Sequence, residues 1–117
     1  NVTTDKAVAE FALPWKTLSD AGIPIAMGTD TGPTARFQGY FEHGELKLMA
    51  EAGLSPMQIL GSATNEAARC LQVDDKIGTL ESGKWADFVV LGANPLENIH
   101  NTRSIESVWI GGRKIQD

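Results

Sequence analysis

Asp30 is the residue whose type and position best fit a role in chemistry. It lies in the glycine-rich segment Gly28-Thr29-Asp30-Thr31-Gly32, directly after the short apolar run 23–27. Parallel α/β folds place ligands and catalytic groups in loops at the carboxyl ends of their strands. An aspartate in such a loop more often caps a helix or forms a turn, so position alone favours that simpler role. The sequence marks Asp30 as a candidate catalytic and metal-binding carboxylate, with turn formation as the alternative.

The two histidines do not complete a metal site around Asp30. His43 stands beside Glu42 and two residues before Glu45, but consecutive helical residues point in different directions. We therefore expect His43 to be exposed in the first turn of a helix, and His100 to lie on a surface loop. A catalytic zinc ion normally takes three protein ligands, so the isolated chain is not expected to carry out metal-dependent hydrolysis.

Four other residues have plain structural interpretations. Lys84 is expected in a turn and Asp87 at the entry of a strand. Arg36 is expected on the surface, although in the loop 31–39 it could pair with a substrate carboxylate. Cys70, the single cysteine, is expected as a small buried residue. One cysteine cannot form an internal disulfide, which excludes a disulfide-stapled secreted miniprotein.

Length and charge limit the function classes. The chain has 117 residues, with 10 Lys+Arg against 15 Asp+Glu and a net charge of −5. This fits one domain at most, well short of the ~250 residues of a (β/α)₈ barrel. The acidic balance argues against nucleic-acid binding, and no apolar run approaches the ~20 residues of a membrane span. We expect a soluble protein without nucleic acid or membrane as partner, a cytoplasmic location being slightly favoured.

Hydrophobic periodicity and turn residues predict an α/β order of elements. A helical stripe over residues 4–20 is interrupted at Pro14, and Gly111-Gly112 is a two-residue hairpin signal between strand-like runs. The other predicted elements are a buried strand at 23–28, helices at 41–52 and 56–71, and strands at 88–91, 105–110 and 113–115.

The triplet Asp30-Thr31-Gly32 also occurs in aspartic proteases. A homodimeric enzyme of that kind, with Ile110-Gly111-Gly112-Arg113 as a loose second signature, would fit the length. Such proteases are nearly all β, whereas residues 41–71 are strongly helical in pattern. An aspartic protease is therefore the least favoured of the three interpretations considered for this sequence.

Four blocks together carry a resemblance to a known family. They are AGIPIAMGTD (21–30), ELKLMAEAGLSP (45–56), ATNEAAR (63–69) and IGTLESGKWADFVVL (77–91), the last followed by NPL (94–96). In this order they resemble the C-terminal end of the amidohydrolase superfamily, in particular its imidazolonepropionase-like and Xaa-Pro dipeptidase-like metal-dependent hydrolases. The resemblance extends over nearly everything from residue 21 onward.

The resemblance implies a fold and a site. Residues 1–76 would be the C-terminal end of a (β/α)₈ barrel, with 23–28 as its last strand, and residues 77–117 the C-terminal strands of a small β-sandwich. Asp30 would be the aspartate that binds zinc or another divalent metal and handles the proton of the metal-bound water. The remaining ligands and sandwich strands of the family are absent from this sequence.

The resemblance therefore predicts a fragment of an enzyme that hydrolyses an amide or cyclic amide bond. The substrate would be a small molecule or a dipeptide-like compound, and the chain alone would be inactive and need not hold a metal ion. Because a single barrel strand exposes unpaired backbone, we expect self-association or docking to the missing N-terminal part. The alternative is a non-catalytic oligomerisation or accessory module in which Asp30 only caps a helix.

Overall fold

The computed structural model of the chain describes residues 14–32, 34 and 37–115. Residues 14–20 are helical (α1), and the part of the predicted first helix at 4–13 lies outside the described residues. The other elements, in chain order, are α2 (Tyr40–Glu51), α3 (Pro56–Gly61), a π-helical turn (Ser62–Glu66), α4 (Ala67–Cys70), β1 (Phe88–Leu91), a 3₁₀ turn (Ile99–Arg103), β2 (Ile105–Ile110) and β3 (Arg113–Lys114). The described part is a small mixed arrangement of helices and one antiparallel sheet.

Capping by side chains explains where α3 begins. Ser55 Oγ accepts a hydrogen bond from the Gln58 backbone N–H at 3.3 Å, and Gln58 Oε1 accepts one from the Ser55 N–H at 2.8 Å. Pro56 occupies the first helical position, where its missing N–H has no cost. The helix predicted at 56–71 ends at Cys70 and contains the π-helical turn, which the sequence pattern does not indicate. The helix predicted at 41–52 lies one residue earlier at each end.

The strand predicted at 23–28 is not formed in this chain. Residues 23–30 belong to no helix or sheet, because no strand in the described part of the chain lies beside them to pair with their backbone. The segment is held from two sides instead. The Ile23 N–H donates to the Leu18 carbonyl at 3.0 Å, and the Met27 N–H donates to the Ser62 carbonyl at 3.1 Å.

The predicted hairpin is confirmed. β2 pairs antiparallel with β3, with Ile110 opposite Arg113, so that only Gly111 and Gly112 form the turn. Both glycines have a positive φ, as the turn type favoured by a right-handed strand twist requires. β1 completes the sheet order β1-β2-β3, and the rings of Phe88 and Trp109 stack across it with centroids 5.5 Å apart.

A small apolar core connects the helices to residues 77–115, the C-terminal segment. Leu46 of α2, Leu54, Ile59 of α3 and Ile99 of the 3₁₀ turn are buried in one cluster. The residues that pack against this cluster are Met27, Met49, Ala50, Ala52, Leu60 and Ala63. The core therefore lies between the helices and the 3₁₀ turn, and the sheet extends beyond it. Within the described part of the chain, no helix is long and apolar enough to span a membrane.

Gly78 makes the closest backbone approach to the helices. A Cβ added there would lie 2.7 Å from the Ala68 Cβ, whereas one added at Gly83 meets no atom within 4 Å. The two glycines have nearly the same φ, 95° and 94°. They therefore form a matched pair in which only the packing differs.

We expect Gly78→Ala to destabilise the chain more than Gly83→Ala. Both substitutions introduce backbone strain of roughly 1–2 kcal/mol, and Gly78→Ala adds an overpacking cost of about 1–3 kcal/mol. Urea unfolding followed by circular dichroism measures the difference. Equal losses in the two variants would show that the contact between Gly78 and Ala68 does not constrain the fold.

Candidate functional site

Asp30 is presented at the end of the segment 23–30, on the surface. Met27 packs against the core, and three residues later the Asp30 backbone has a φ of 52°, in the left-handed region. Aspartate is one of the few non-glycine residues that adopt this conformation readily. The Asp30 side chain is exposed, as a candidate catalytic carboxylate must be to reach a substrate.

Glu42, at the start of α2, holds the residues on both sides of Asp30. Its Oε1 accepts hydrogen bonds from Thr31 Oγ1 at 3.0 Å and from Thr29 Oγ1 at 3.2 Å. Its Oε2 accepts a hydrogen bond from the backbone N–H of Gly39, the residue that caps α2. One carboxylate thus connects the loop 29–31 to the beginning of the helix.

These contacts change the acidity of Glu42. A hydrogen bond from its own backbone N–H lowers the pKa of the Glu42 carboxyl below its usual range, and desolvation acts in the opposite direction. The hydrogen bonds from Thr31, Gly39 and Thr29 lower this pKa further. Each donor favours the charged form, so Glu42 is a carboxylate at neutral pH.

His43 is less exposed than the sequence predicts. It is half-buried, and its Nδ1 lies 3.2 Å from Thr102 Oγ1 in the 3₁₀ turn. The Thr102 hydroxyl has one hydrogen, which it donates to the Ile99 carbonyl at 2.8 Å. The Nδ1 of His43 is therefore the donor, and this contact connects α2 to the C-terminal segment.

Lys84 and Asp87 have the structural roles that the sequence indicated. Lys84 Nζ donates to Thr79 Oγ1 at 2.6 Å and lies 3.4 Å from Glu81 Oε2, within a turn. Asp87 stands directly before β1, and its Oδ1 accepts a hydrogen bond from the Gly111 N–H at 2.6 Å. Both side chains hold loops of the C-terminal segment.

The remaining sequence candidates do not join the site. Cys70 is exposed, so its prediction as a buried residue is wrong, because it is the last residue of α4 and its side chain does not face the core. His100 is exposed, within the 3₁₀ turn rather than a plain loop. Arg36 lies outside the described residues.

The described residues do not fit a complete metal centre. Among them, no three His, Cys, Asp or Glu side chains come together in a group that could hold a metal ion. A catalytic zinc site needs three such ligands, and Asp30 alone would supply one. No metal-dependent step can therefore be built from the described part of the chain by itself.

Glu42 is the site residue that the sequence pattern did not reveal. Its type and its place three residues after Gly39 are typical of a helix-capping glutamate, and that signal was present. Its bonds to Thr29 and Thr31 span 13 and 11 residues of sequence. No local pattern indicates a pairing of that length.

The chain belongs to the amidohydrolase family, whose model matches residues 4–115. A solved Xaa-Pro dipeptidase with bound methionine is similar, with a TM-score of 0.79 and 32% identity over 91% of this chain and 25% of that one. The 5-methylthioadenosine/S-adenosylhomocysteine deaminase of Teredinibacter turnerae is 25% identical over 92% of this chain and 29% of its own length. The imidazolonepropionase of Streptococcus sanguinis is 29% identical over 81% of this chain and 23% of its own length.

Three points follow from these similarities. The resemblance to imidazolonepropionase-like and Xaa-Pro dipeptidase-like hydrolases is confirmed. The chain spans about a quarter of the length of the relatives that it matches. The family match and the helices α2, α3 and α4 speak against the aspartic protease interpretation of Asp30-Thr31-Gly32.

We expect Glu42→Gln to reduce the dependence of stability on pH in the acid range. Because the folded-state pKa of Glu42 is lowered, its stabilising contribution is full above the unfolded-state pKa of about 4.3 and is lost as the pH falls through the folded-state value. Urea midpoints measured at several pH values between about 7 and about 2.5 would show the change. Glu51→Gln, at the other end of α2, is the control, and an equal change in both variants would contradict the assignment.

We expect neutral His43 to carry its proton on Nδ1. At pH of about 8, where an ordinary imidazole is neutral, the ¹⁵N chemical shifts of the ring should identify the Nδ1–H tautomer. Thr102→Val removes the acceptor and should shift the population towards the Nε2–H tautomer. An Nε2–H tautomer in the unsubstituted chain would mean that the contact with Thr102 is not a hydrogen bond.

Proposed function

We propose that this chain supplies Asp30 to the active site of an amidohydrolase that hydrolyses a carbon–nitrogen bond. The bond would be an amide or cyclic amide in a small-molecule or dipeptide-like substrate. The observation that carries the proposal is that the family match includes the whole segment from Met27 to Glu42, in which Asp30 is exposed and its neighbours are held in place. A deaminase and a dipeptidase among the relatives support the same kind of bond.

Asp30 would act as the proton carrier of the reaction. Its carboxylate accepts a proton from the attacking water as the water oxygen bonds to the substrate carbon. It then returns that proton to the nitrogen as the carbon–nitrogen bond breaks, so that the leaving group departs as a neutral amine. The exposed carboxylate in a fixed loop suits this exchange.

The whole enzyme is expected to use zinc or another divalent ion, with Asp30 as one ligand. Such an ion, when bound, lowers the pKa of a coordinated water towards ~7. The other ligands would have to come from outside the described residues. The isolated chain is therefore proposed to be inactive.

The proposed domain assignment follows the family. Residues 1–76 would form the end of the barrel, with 23–28 as its last strand, and residues 77–117 would contribute strands to a β-sandwich. Two features support this. Among the described residues no strand pairs with residues 23–28, and Ile105 and Ile110 of β2 are about half exposed, at 49% and 57%. Docking to further strands of the same protein would pair this backbone and cover these side chains.

A non-catalytic accessory or oligomerisation module is the second candidate. It is favoured because no three His, Cys, Asp or Glu side chains among the described residues form a group that could hold a metal ion. In that case the loop would serve only to connect the segment 23–30 to α2. Dependence on metal and on the Asp30 carboxylate separates the two candidates.

Zinc titration of the 117-residue chain by calorimetry is the first test, with Asp30→Asn alongside. We expect no tight stoichiometric binding, since one carboxylate does not make a site. Tight binding that is lost in Asp30→Asn would contradict the proposal that the remaining ligands lie elsewhere. The chain should then be assayed as a hydrolase by itself.

Activity can be tested in a chimera in which this chain replaces the matched quarter of the Xaa-Pro dipeptidase. Circular dichroism and metal analysis would first show that the chimera is folded and loaded. We expect it to hydrolyse Xaa-Pro dipeptides, and Asp30→Asn to lower kcat at least about 100-fold, the usual contribution of a proton-transferring group. Asp87→Asn, directly before β1, is the matched control. A folded, metal-loaded chimera that keeps its activity in Asp30→Asn would overturn the role of Asp30.

A further inference from the structure

We propose that Glu42 is the positioning residue for Asp30, holding the loop on both sides of the functional carboxylate. The inference rests on the proposed function insofar as it takes Asp30 to be the reacting group. Glu42 acts through its neighbours Thr29 and Thr31, and therefore belongs to the positioning groups and not to the catalytic ones.

The geometry of the carboxylate carries the proposal. Thr29 and Thr31 lie immediately before and after Asp30. Glu42 Oε1 accepts a hydrogen bond from the Thr29 hydroxyl at 3.2 Å and from the Thr31 hydroxyl at 3.0 Å. The two hydroxyls are themselves 3.2 Å apart, so that the three side chains form a closed triangle. Hydrogen bonds to a charged carboxylate are stronger than those between neutral groups.

The loop needs such a support. Asp30 has a φ of 52°, in a region that L-residues occupy less readily than the extended or helical regions, and the sheet that the structure describes does not include the segment 23–30. The hydrogen bond from the Met27 N–H to the Ser62 carbonyl, at 3.1 Å, anchors the backbone three residues before Asp30. The triangle with Glu42 fixes the loop directly at Asp30.

Glu42 is itself held firmly. Leu46, one helical turn further along α2, is buried in the apolar core, and residues four apart lie on the same side of a helix. The second carboxylate oxygen accepts the Gly39 N–H at the start of the helix. The two oxygens thus have separate tasks, since Oε2 caps the helix and Oε1 holds the loop.

This division allows an experiment that separates positioning from helix capping. Thr29→Val/Thr31→Val removes both hydroxyls and leaves the cap intact, whereas Thr29→Ser/Thr31→Ser keeps both donors. The readout is the backbone ¹⁵N order parameter of residues 29–31 in the 117-residue chain without metal. In the unsubstituted chain we expect values near those of α2, about 0.85, falling below about 0.6 in the valine variant.

The serine variant should restore the order of the loop, which a purely steric role of the threonines would not predict. Glu42→Ala should loosen the loop like the valine variant, and Glu51→Ala should leave it unchanged. Leu46 and Met49 report whether α2 is intact in each variant. A loop that is mobile in the unsubstituted chain, or equally ordered in the valine variant, would overturn the proposal.

The chimera described above supplies a second readout. Thr29→Val/Thr31→Val should lower kcat at least about tenfold while KM changes little, because the substitutions disturb the placement of Asp30 at the reacting bond. An unchanged kcat would overturn the positioning role. The order parameters are measured without metal or substrate, so a failure of the proposed hydrolysis leaves them informative and the two failures can be told apart.

Discussion

The burial of Ile99 among Leu46, Leu54 and Ile59 is the main apolar contact between the C-terminal segment and the helices. Burying an isoleucine side chain stabilises a fold by about 1.5–3 kcal/mol. Exposed helical ion pairs such as Lys47 with Glu51 contribute about 0.3–0.5 kcal/mol each. The relative placement of helices and sheet therefore depends mainly on this small apolar cluster. The hydrogen bond from His43 to Thr102 adds direction to a contact that apolar packing alone would leave less defined.

The same helix that covers the core also serves the candidate site. Leu46 fixes α2 against the core, and Glu42, one turn earlier, reaches the loop that carries Asp30. A loop without neighbouring strands has few ways to satisfy its polar groups, and a charged acceptor on a fixed helix provides one. The apolar core thus holds α2 in place, and Glu42 of α2 in turn holds the loop that carries the exposed Asp30 carboxylate.

Local chemistry allowed several elements to be predicted from sequence. Ser55, Pro56 and Gln58 define a helix start within four residues, and Gly111-Gly112 defines a two-residue turn. The segment 23–28 forms no strand in the described structure, since a strand requires a partner and an apolar pattern does not indicate which partner is present. Cys70 is exposed and His43 half-buried, the reverse of what the sequence predicts, because burial depends on what packs against a helix face. The π-helical turn at Ser62–Glu66 likewise had no sequence signal.

By itself, the sequence determined the helix starts, the hairpin, the position of Asp30 after an apolar run, and the four ordered blocks that mark the amidohydrolase family. These features depend on residues that are close together along the chain or on their order. Only the tertiary structure decided that Glu42 holds the loop from 13 and 11 residues away and that His43 meets Thr102 across 59 residues. Such contacts arise when packing brings distant segments together. Hydrogen-bond donors and acceptors on the surface of a helix can pair with many partners, and it is the buried core that selects one.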